Sequence, residues 1–146
     1  MTVFPRDRAR YRDLFARSFR WEAWDRAIEE HGVCVERPVR EPHPDHPTII
    51  YPIDYGYIPD TEATDGQAVD CFIGSAPSSS AASGLVGLIL TTDYREGDRE
   101  AKLLIDCTPP EIYTAHGFIN YDRTLLEGLL VLRTPMHALW EERRDE

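Results

Sequence analysis

Apolar positions along this chain fall into two rhythms. From residue 4 to residue 31 they recur every three or four positions: Tyr11, Leu14, Phe15 and Phe19 form one stripe, and Trp21, Trp24 and Ile28 a second. That is the spacing of an amphipathic helix, and the break between the stripes predicts two helical segments. Gly32 follows as a stop signal. After it the rhythm shortens. Val33 to Glu36 reads as a strand, and Thr48 to Tyr51 and Tyr55 to Ile58 as short strands. Ala68 to Ile73, Gly84 to Thr92 and Glu100 to Cys107 read as longer, more buried ones. Thr92 to Arg99 is a polar hairpin connection, and 77–83 a loop of small residues. Pro38, Pro42, Pro44 and Pro47 punctuate an irregular stretch. Pro109 to Leu126 reads as mostly helical, Leu129 to Leu132 as a last strand and Met136 to Arg143 as a last helix. No repeat and no long linker divides the sequence. The expectation is one α+β domain over 1–146, a small barrel with helices packed beside it, in which residues 1–32 form a helical addition.

Composition narrows the function. The chain has 146 residues, 42% of them hydrophobic, and a net charge of −10. The acidic balance argues against a nucleic-acid partner, which needs a basic surface, and fits either simple solubility or the binding of cations. The seven arginines interleaved in the first helical stretch could serve a membrane surface, but a basic amphipathic helix more often packs on its own domain or on a partner subunit. No apolar run approaches the roughly 18 residues of a membrane span, and the N-terminus lacks the apolar core of a secretory signal. Cys34, Cys71 and Cys107 each lie in or beside a strand-like stretch and read as reduced core residues, which points to the cytoplasm.

Candidate chemistry concentrates in two places. In YPIDYGYIPDTEATDGQAVDCFIG, residues 51–74, Asp65 and Asp70 flank a turn at Gly66. Neighbouring carboxylates repel unless a cation sits between them, and an all-oxygen cluster suits Mg²⁺. In TTDYREGDREAK, Asp93, Asp98 and Glu100 precede Lys102, the one lysine beside fifteen arginines. Glu100 and Lys102, two apart in a strand, share a face, which suits a site for Mg²⁺ and phosphate together. The acidic hairpin taken alone is also what a solvated turn looks like.

These residues resemble family I soluble inorganic pyrophosphatases. Tyr51-Pro52-Ile53-Asp54-Tyr55-Gly56-Tyr57-Ile58-Pro59 is similar to that family's Tyr-Pro-x-Asn-Tyr-Gly-Phe/Tyr-Ile-Pro, and Asp65 to Asp70 to its Asp-Gly-Asp-Pro-Leu/Val-Asp. Glu100-Ala101-Lys102 resembles Asp-x-Lys, Val35 to Pro38 an early Ile-Glu-Ile-Pro strand, and Phe118 to Tyr121 the late Phe-x-x-Tyr-Lys. The resemblance implies a five-stranded OB-like barrel with flanking helices and Mg²⁺-dependent hydrolysis of pyrophosphate or a related phosphoanhydride. It also implies a homo-oligomer. Carried over position by position, it makes Asp65, Asp70 and Glu100 metal ligands, with Asp93 or Asp98 supplying another and Glu36 an outer one. It sets Tyr55, Lys102 and Tyr121 on phosphate.

Three departures qualify that reading. Gln67 stands where the family has the aspartate that assists the attacking water, and an amide cannot take a proton near neutral pH; Asp54, replacing an asparagine, is the candidate to restore a base. The stretch between Glu36 and Tyr51 lacks the family's Lys-Tyr-Glu and Asp-Arg motifs. Arg37 or Arg40 could replace their charge but not their geometry. His43, Asp45 and His46 there could bind a transition metal, but read first as part of a proline-rich loop. Asp122 follows Tyr121 in place of a lysine, and Arg123, one position on, is turned by about 100° on a helix. The alternative is therefore a catalytically impaired relative that binds metal or a phosphorylated ligand, or acts as an interaction module.

Overall fold

The computed structural model describes residues 7–44, 49–62, 68–76 and 83–144. Two helices come first, α1 (Arg8–Ser18) and α2 (Trp21–His31). The Asp7 side chain caps α1 by accepting from Arg10 N at 3.0 Å. Gly32, at φ 73°, ends α2 in a backbone region that favours glycine. Six strands follow, β1 (Cys34–Arg37), β2 (Asp54–Ile58), β3 (Val69–Ile73), β4 (Leu85–Asp93), β5 (Arg99–Ile105) and β6 (Leu126–Leu132). Helix α3 (Pro109–Ile119) lies between β5 and β6, and α4 (Met136–Arg144) closes the chain. Thr108 and Glu111 form a reciprocal capping box at the start of α3, where two prolines need no intrahelical donor.

The strands form one sheet in the order β1-β2-β3-β5-β4-β6, antiparallel throughout except for the parallel β3–β5 pair. Among the described residues β1 and β6 are its edges, so the architecture is an open, mixed, six-stranded α+β sheet rather than a closed five-stranded barrel. Closure depends on pairing between strands far apart in sequence, to which local alternation is blind. Of the strand expected over Thr48 to Tyr51, Thr48 lies outside the described residues and the rest adds no strand; Ile50 makes only an isolated bridge to Pro42, whose ring removes a ladder donor. The helix expected to run to Leu126 ends at Ile119, and β6 starts there instead.

Strand alternation sorts the core into two layers. Val69, Cys71, Leu88, Leu90, Leu103, Ile105, Leu129 and Val131 face Ile28 and the aromatic side chains of α1 and α2. Tyr55, Phe72, Ile89 and Leu104 face Ile112, Ala115 and Ile119 of α3 and Leu139 of α4. Leu85 and Leu88, an odd number apart, share a layer because the register slips between Leu85 and Gly87. At β6, Gly128 lets α3 come close: a Cβ there would lie 2.6 Å from Ile119 Cγ2. Cys71 and Cys107 are buried as expected, and burial pushes the Cys71 thiol up to about 12. Cys34 is exposed, a correction to the core assignment, because β1 is an edge strand with little cover. No described helix is long and apolar enough to cross a membrane.

Candidate functional site

The layer facing α3 is apolar over only part of its length. Asp70 and Phe72 share a face of β3; Glu100, Lys102 and Leu104 share one of β5; Ile89, Thr91 and Asp93 share one of β4. Moving along each strand in the same direction, the side chain under α3 gives way to a polar one. Beyond the helix the sheet therefore floors an open cleft of about 710 Å³.

Lys102 lies at its centre. Its ammonium donates to Glu100 Oε1 at 2.9 Å, to Tyr55 Oη at 2.9 Å and to Asp70 Oδ2 at 3.1 Å. Tyr55 in turn donates to the same Asp70 oxygen at 2.7 Å. The three donations satisfy the three ammonium hydrogens. Burial acts to lower the Lys102 pKa, but the oxygens of Tyr55, Asp70 and Glu100 outweigh it and hold the group well above its ordinary 10.5, so it is a permanent cation. Burial drives the Tyr55 phenol far above its ordinary 10.0, so it stays protonated and can accept from Lys102 while donating to Asp70. Tyr55 is fixed by rings on both sides: Tyr51 at 5.0 Å between centroids and Phe72, edge-on, at 5.0 Å.

Arg37 joins from the neighbouring strand. In a regular ladder continuing from Val35↔Gly56, Glu36 would stand opposite Tyr55. The register shifts between Val35 and Arg37, so Arg37 stands opposite Tyr55 instead. Its guanidinium lies 5.5 Å from the Tyr51 ring centroid, with Nη1 3.4 Å from the phenol oxygen, and it lines the cleft. Arg95, on the β4–β5 hairpin, is a further cation of the lining. The sequence pattern gave no sign of Arg95; Arg37 was named there as a replacement in charge, and the bulge is what sets it opposite Tyr55.

The structure brings Tyr55, Asp70, Glu100 and Lys102 together. Asp93 and Asp98 line the cleft on the hairpin, where Asp93 Oδ1 accepts from the backbone of Arg95 and Glu96 at 2.9 and 3.1 Å. Tyr121 stands at the mouth, 92% exposed. Glu36 is not part of the cleft wall; it pairs with Arg37 at 3.7 Å, its side chain 48% exposed. Asp54 is not part of it either; its carboxylate accepts from Val39 N at 2.8 Å and holds the chain leaving β1. Asp65 and Gln67, and with them Asp45 and His46, lie outside the described residues. His43 stacks on Tyr51 at 6.2 Å.

Among the described residues no group of three His, Cys, Asp or Glu side chains is assembled to hold a metal. The acidic donors at the floor are nevertheless all oxygen, and Asp70 and Glu100 converge on one ammonium. Mg²⁺ is commonly held by one or two carboxylates together with phosphate oxygens and water. The pair fits a Mg²⁺ that arrives with a phosphate.

Neither a protein-family model nor a curated protein matches the sequence. Among solved structures the chain is similar to an inorganic pyrophosphatase from Coxiella burnetii, at 16% identity and a TM-score of 0.47 over 78% of this chain and 90% of that one. It is also similar to one from Thermus thermophilus, at 21% identity and a TM-score of 0.43 over 77% of this chain and 86% of that one. A third, from Helicobacter pylori, is 14% identical with a TM-score of 0.42, over 77% and 91% of the two chains. At these scores the functional reading rests on the side chains of the cleft.

Proposed function

We propose that the cleft is a hydrolase site for a phosphoanhydride, of which inorganic pyrophosphate is the simplest, acting with Mg²⁺. The observation that carries this reading is the Lys102 ammonium, sunk at the floor of an open cleft between two carboxylates and a neutral phenol. With Asp70 and Glu100 drawn onto a Mg²⁺, the ammonium hydrogens they now accept would be free for phosphate oxygens, and the guanidinium groups in the walls would add to that charge.

In this scheme Lys102 offsets charge on a phosphoryl oxygen, and Arg37 and Arg95 offset charge nearer the mouth. Tyr55, held by Asp70, keeps the ammonium oriented. Hydrolysis adds the oxygen of water to phosphorus and breaks the bridging P–O bond, so charge grows on the leaving phosphate, where fixed cations stabilise it most. Asp70 and Glu100 would hold Mg²⁺, which supplies charge neutralisation and a more acidic water. Gln67 has no proton affinity near neutral pH, and the carboxylate of Asp54, the base considered in its place, is engaged with Val39 N away from the cleft.

The test is phosphate release from pyrophosphate with Mg²⁺ in the wild type, Asp70→Asn and Gln67→Asp. Release that disappears in Asp70→Asn supports the hydrolase. A silent wild type that gains activity in Gln67→Asp means a binding protein built on the same floor, the second reading, which the amide at position 67 favours. Silence in all three removes inorganic pyrophosphate as the substrate and leaves a different phosphoanhydride or a binding function.

A further inference from the structure

The cleft has two kinds of wall, and the proposed function uses only one. Its floor and one flank carry Lys102, Arg37 and Arg95. Carboxylates share that charged part, Asp93, Asp98 and Glu100 among them, and a separate stretch of the lining is apolar: Ile49 and Ile50 on the segment before β2, and Phe118, Leu125 and Leu126 around the turn from α3 into β6. Exposed large apolar side chains are costly to leave in water, and they mark binding surfaces when they gather in one concavity. Ile50 is 47%, Leu125 37% and Tyr121 92% exposed, and all three border this cleft. Inward, Tyr51 and Phe118 continue the apolar surface with ring centroids 5.2 Å apart, ending at Tyr55 beside the ammonium.

Size agrees with this division. About 710 Å³ falls within the roughly 300–1,000 Å³ typical of pockets for drug-sized organic ligands. A bare pyrophosphate would occupy the cationic floor and leave the apolar wall wet. It would also meet few cations for its charge, since Lys102 is already shared between two carboxylates.

Building on the hydrolase reading above, we infer that the substrate is an organic diphosphate: a phosphoanhydride whose diphosphate end meets Lys102, Arg37 and Arg95 and whose apolar or planar organic group lies against Ile50, Tyr51, Phe118 and Leu125. A nucleoside diphosphate presents such a group as a base, a prenyl diphosphate as a hydrocarbon chain. Burial of the organic group supplies affinity that the modest cation count cannot, so the protein distinguishes organic from inorganic diphosphate by its wall and not by its floor.

The test is calorimetric binding to the full chain with Mg²⁺, using methylene-bridged analogues that are not hydrolysed. The three probes are methylenediphosphonate, α,β-methylene-ADP and the methylene analogue of isopentenyl diphosphate. The expected result is that at least one organic probe binds about tenfold or more tightly than methylenediphosphonate. In the Ile50→Ser/Leu125→Ser double variant, whose changes fall at exposed positions, that ratio should fall toward one. Equal affinity for all three, or a ratio the double variant does not change, overturns the inference while the floor still binds diphosphate. Failure of all three probes to bind, with Lys102→Met indistinguishable from wild type, overturns the floor itself and the substrate assignment with it.

Discussion

Each face of the sheet holds a cation against carboxylate, and the two are built differently. Under α2, Arg133 makes a paired contact with Asp25, Nη1 to Oδ1 at 2.6 Å and Nη2 to Oδ2 at 2.7 Å, while Ser83 donates to Oδ1 at 2.6 Å. One acid meets one base, both carboxylate oxygens are used, and the guanidinium lies 5.8 Å from the centroid of Trp21. On the other face Lys102 meets two carboxylates, and the cluster opens into a cleft instead of lying under a helix. The first arrangement is closed in charge and geometry, as structural ion pairs are. The second has more acid than base and room above it, which is the condition for taking up a further ligand.

The contrast breaks first at Lys102. Replacing it with Met should lower phosphate release by about 10²–10³, the usual cost of removing one charge-stabilising donor from an active site. Steady-state phosphate assays on wild type and variant decide this, and a change of less than about threefold would make Lys102 structural, like Arg133. The sealed face should answer in stability instead. Leu88 is fully buried beneath the N-terminal helices; Leu88→Ala should cost about 3 kcal/mol in urea unfolding. A loss below about 1 kcal/mol would mean that α1 and α2 cover the sheet loosely.

The longer strands were legible in the sequence because a strand covered on both faces reads as a continuous apolar run, as Leu85 to Leu90 does. The N-terminal helices were legible from their apolar stripes, with the break falling between Ser18 and Trp21. What local pattern could not reveal was register. A single bulge after Val35 exchanges Glu36 for Arg37 on the cleft side, turning an expected carboxylate into a cation. Openness of the sheet was hidden for a related reason, since it depends on which edges meet. Lys102 could be singled out as the chain's one lysine, and Asp70, Glu100 and Tyr55 gather around it. The apolar wall was not foreseen, because Ile50 was read into a strand and Leu125 into a helix running to Leu126, and neither residue lies in such an element.

The smallest expected effects concern Asp25 and its response to pH. The Arg133 guanidinium, followed by Ser83, holds the Asp25 carboxyl below its ordinary 3.8, against the pull of burial in the other direction. A depressed folded-state pKa means that the unfolded chain takes up the proton first. The stabilisation is therefore fully present above the unfolded value, and it is lost as pH falls below 3.8 and through the lower folded value. Asp25→Asn keeps the shape but removes the charge, so it should cost about 2 kcal/mol near pH 7, the scale of a hydrogen-bonded charge contact. That cost should shrink as pH is lowered through this window. Glu111 is also held below its ordinary 4.5, by donors from Thr108 and Ser75 that outweigh its burial, and it destabilises both proteins alike on acidification. The difference between wild type and variant therefore isolates Asp25. Urea unfolding at several pH values from neutral to about 3 measures it. A difference that stays constant across the range would mean that Asp25 contributes by packing and not as the ionised partner of Arg133.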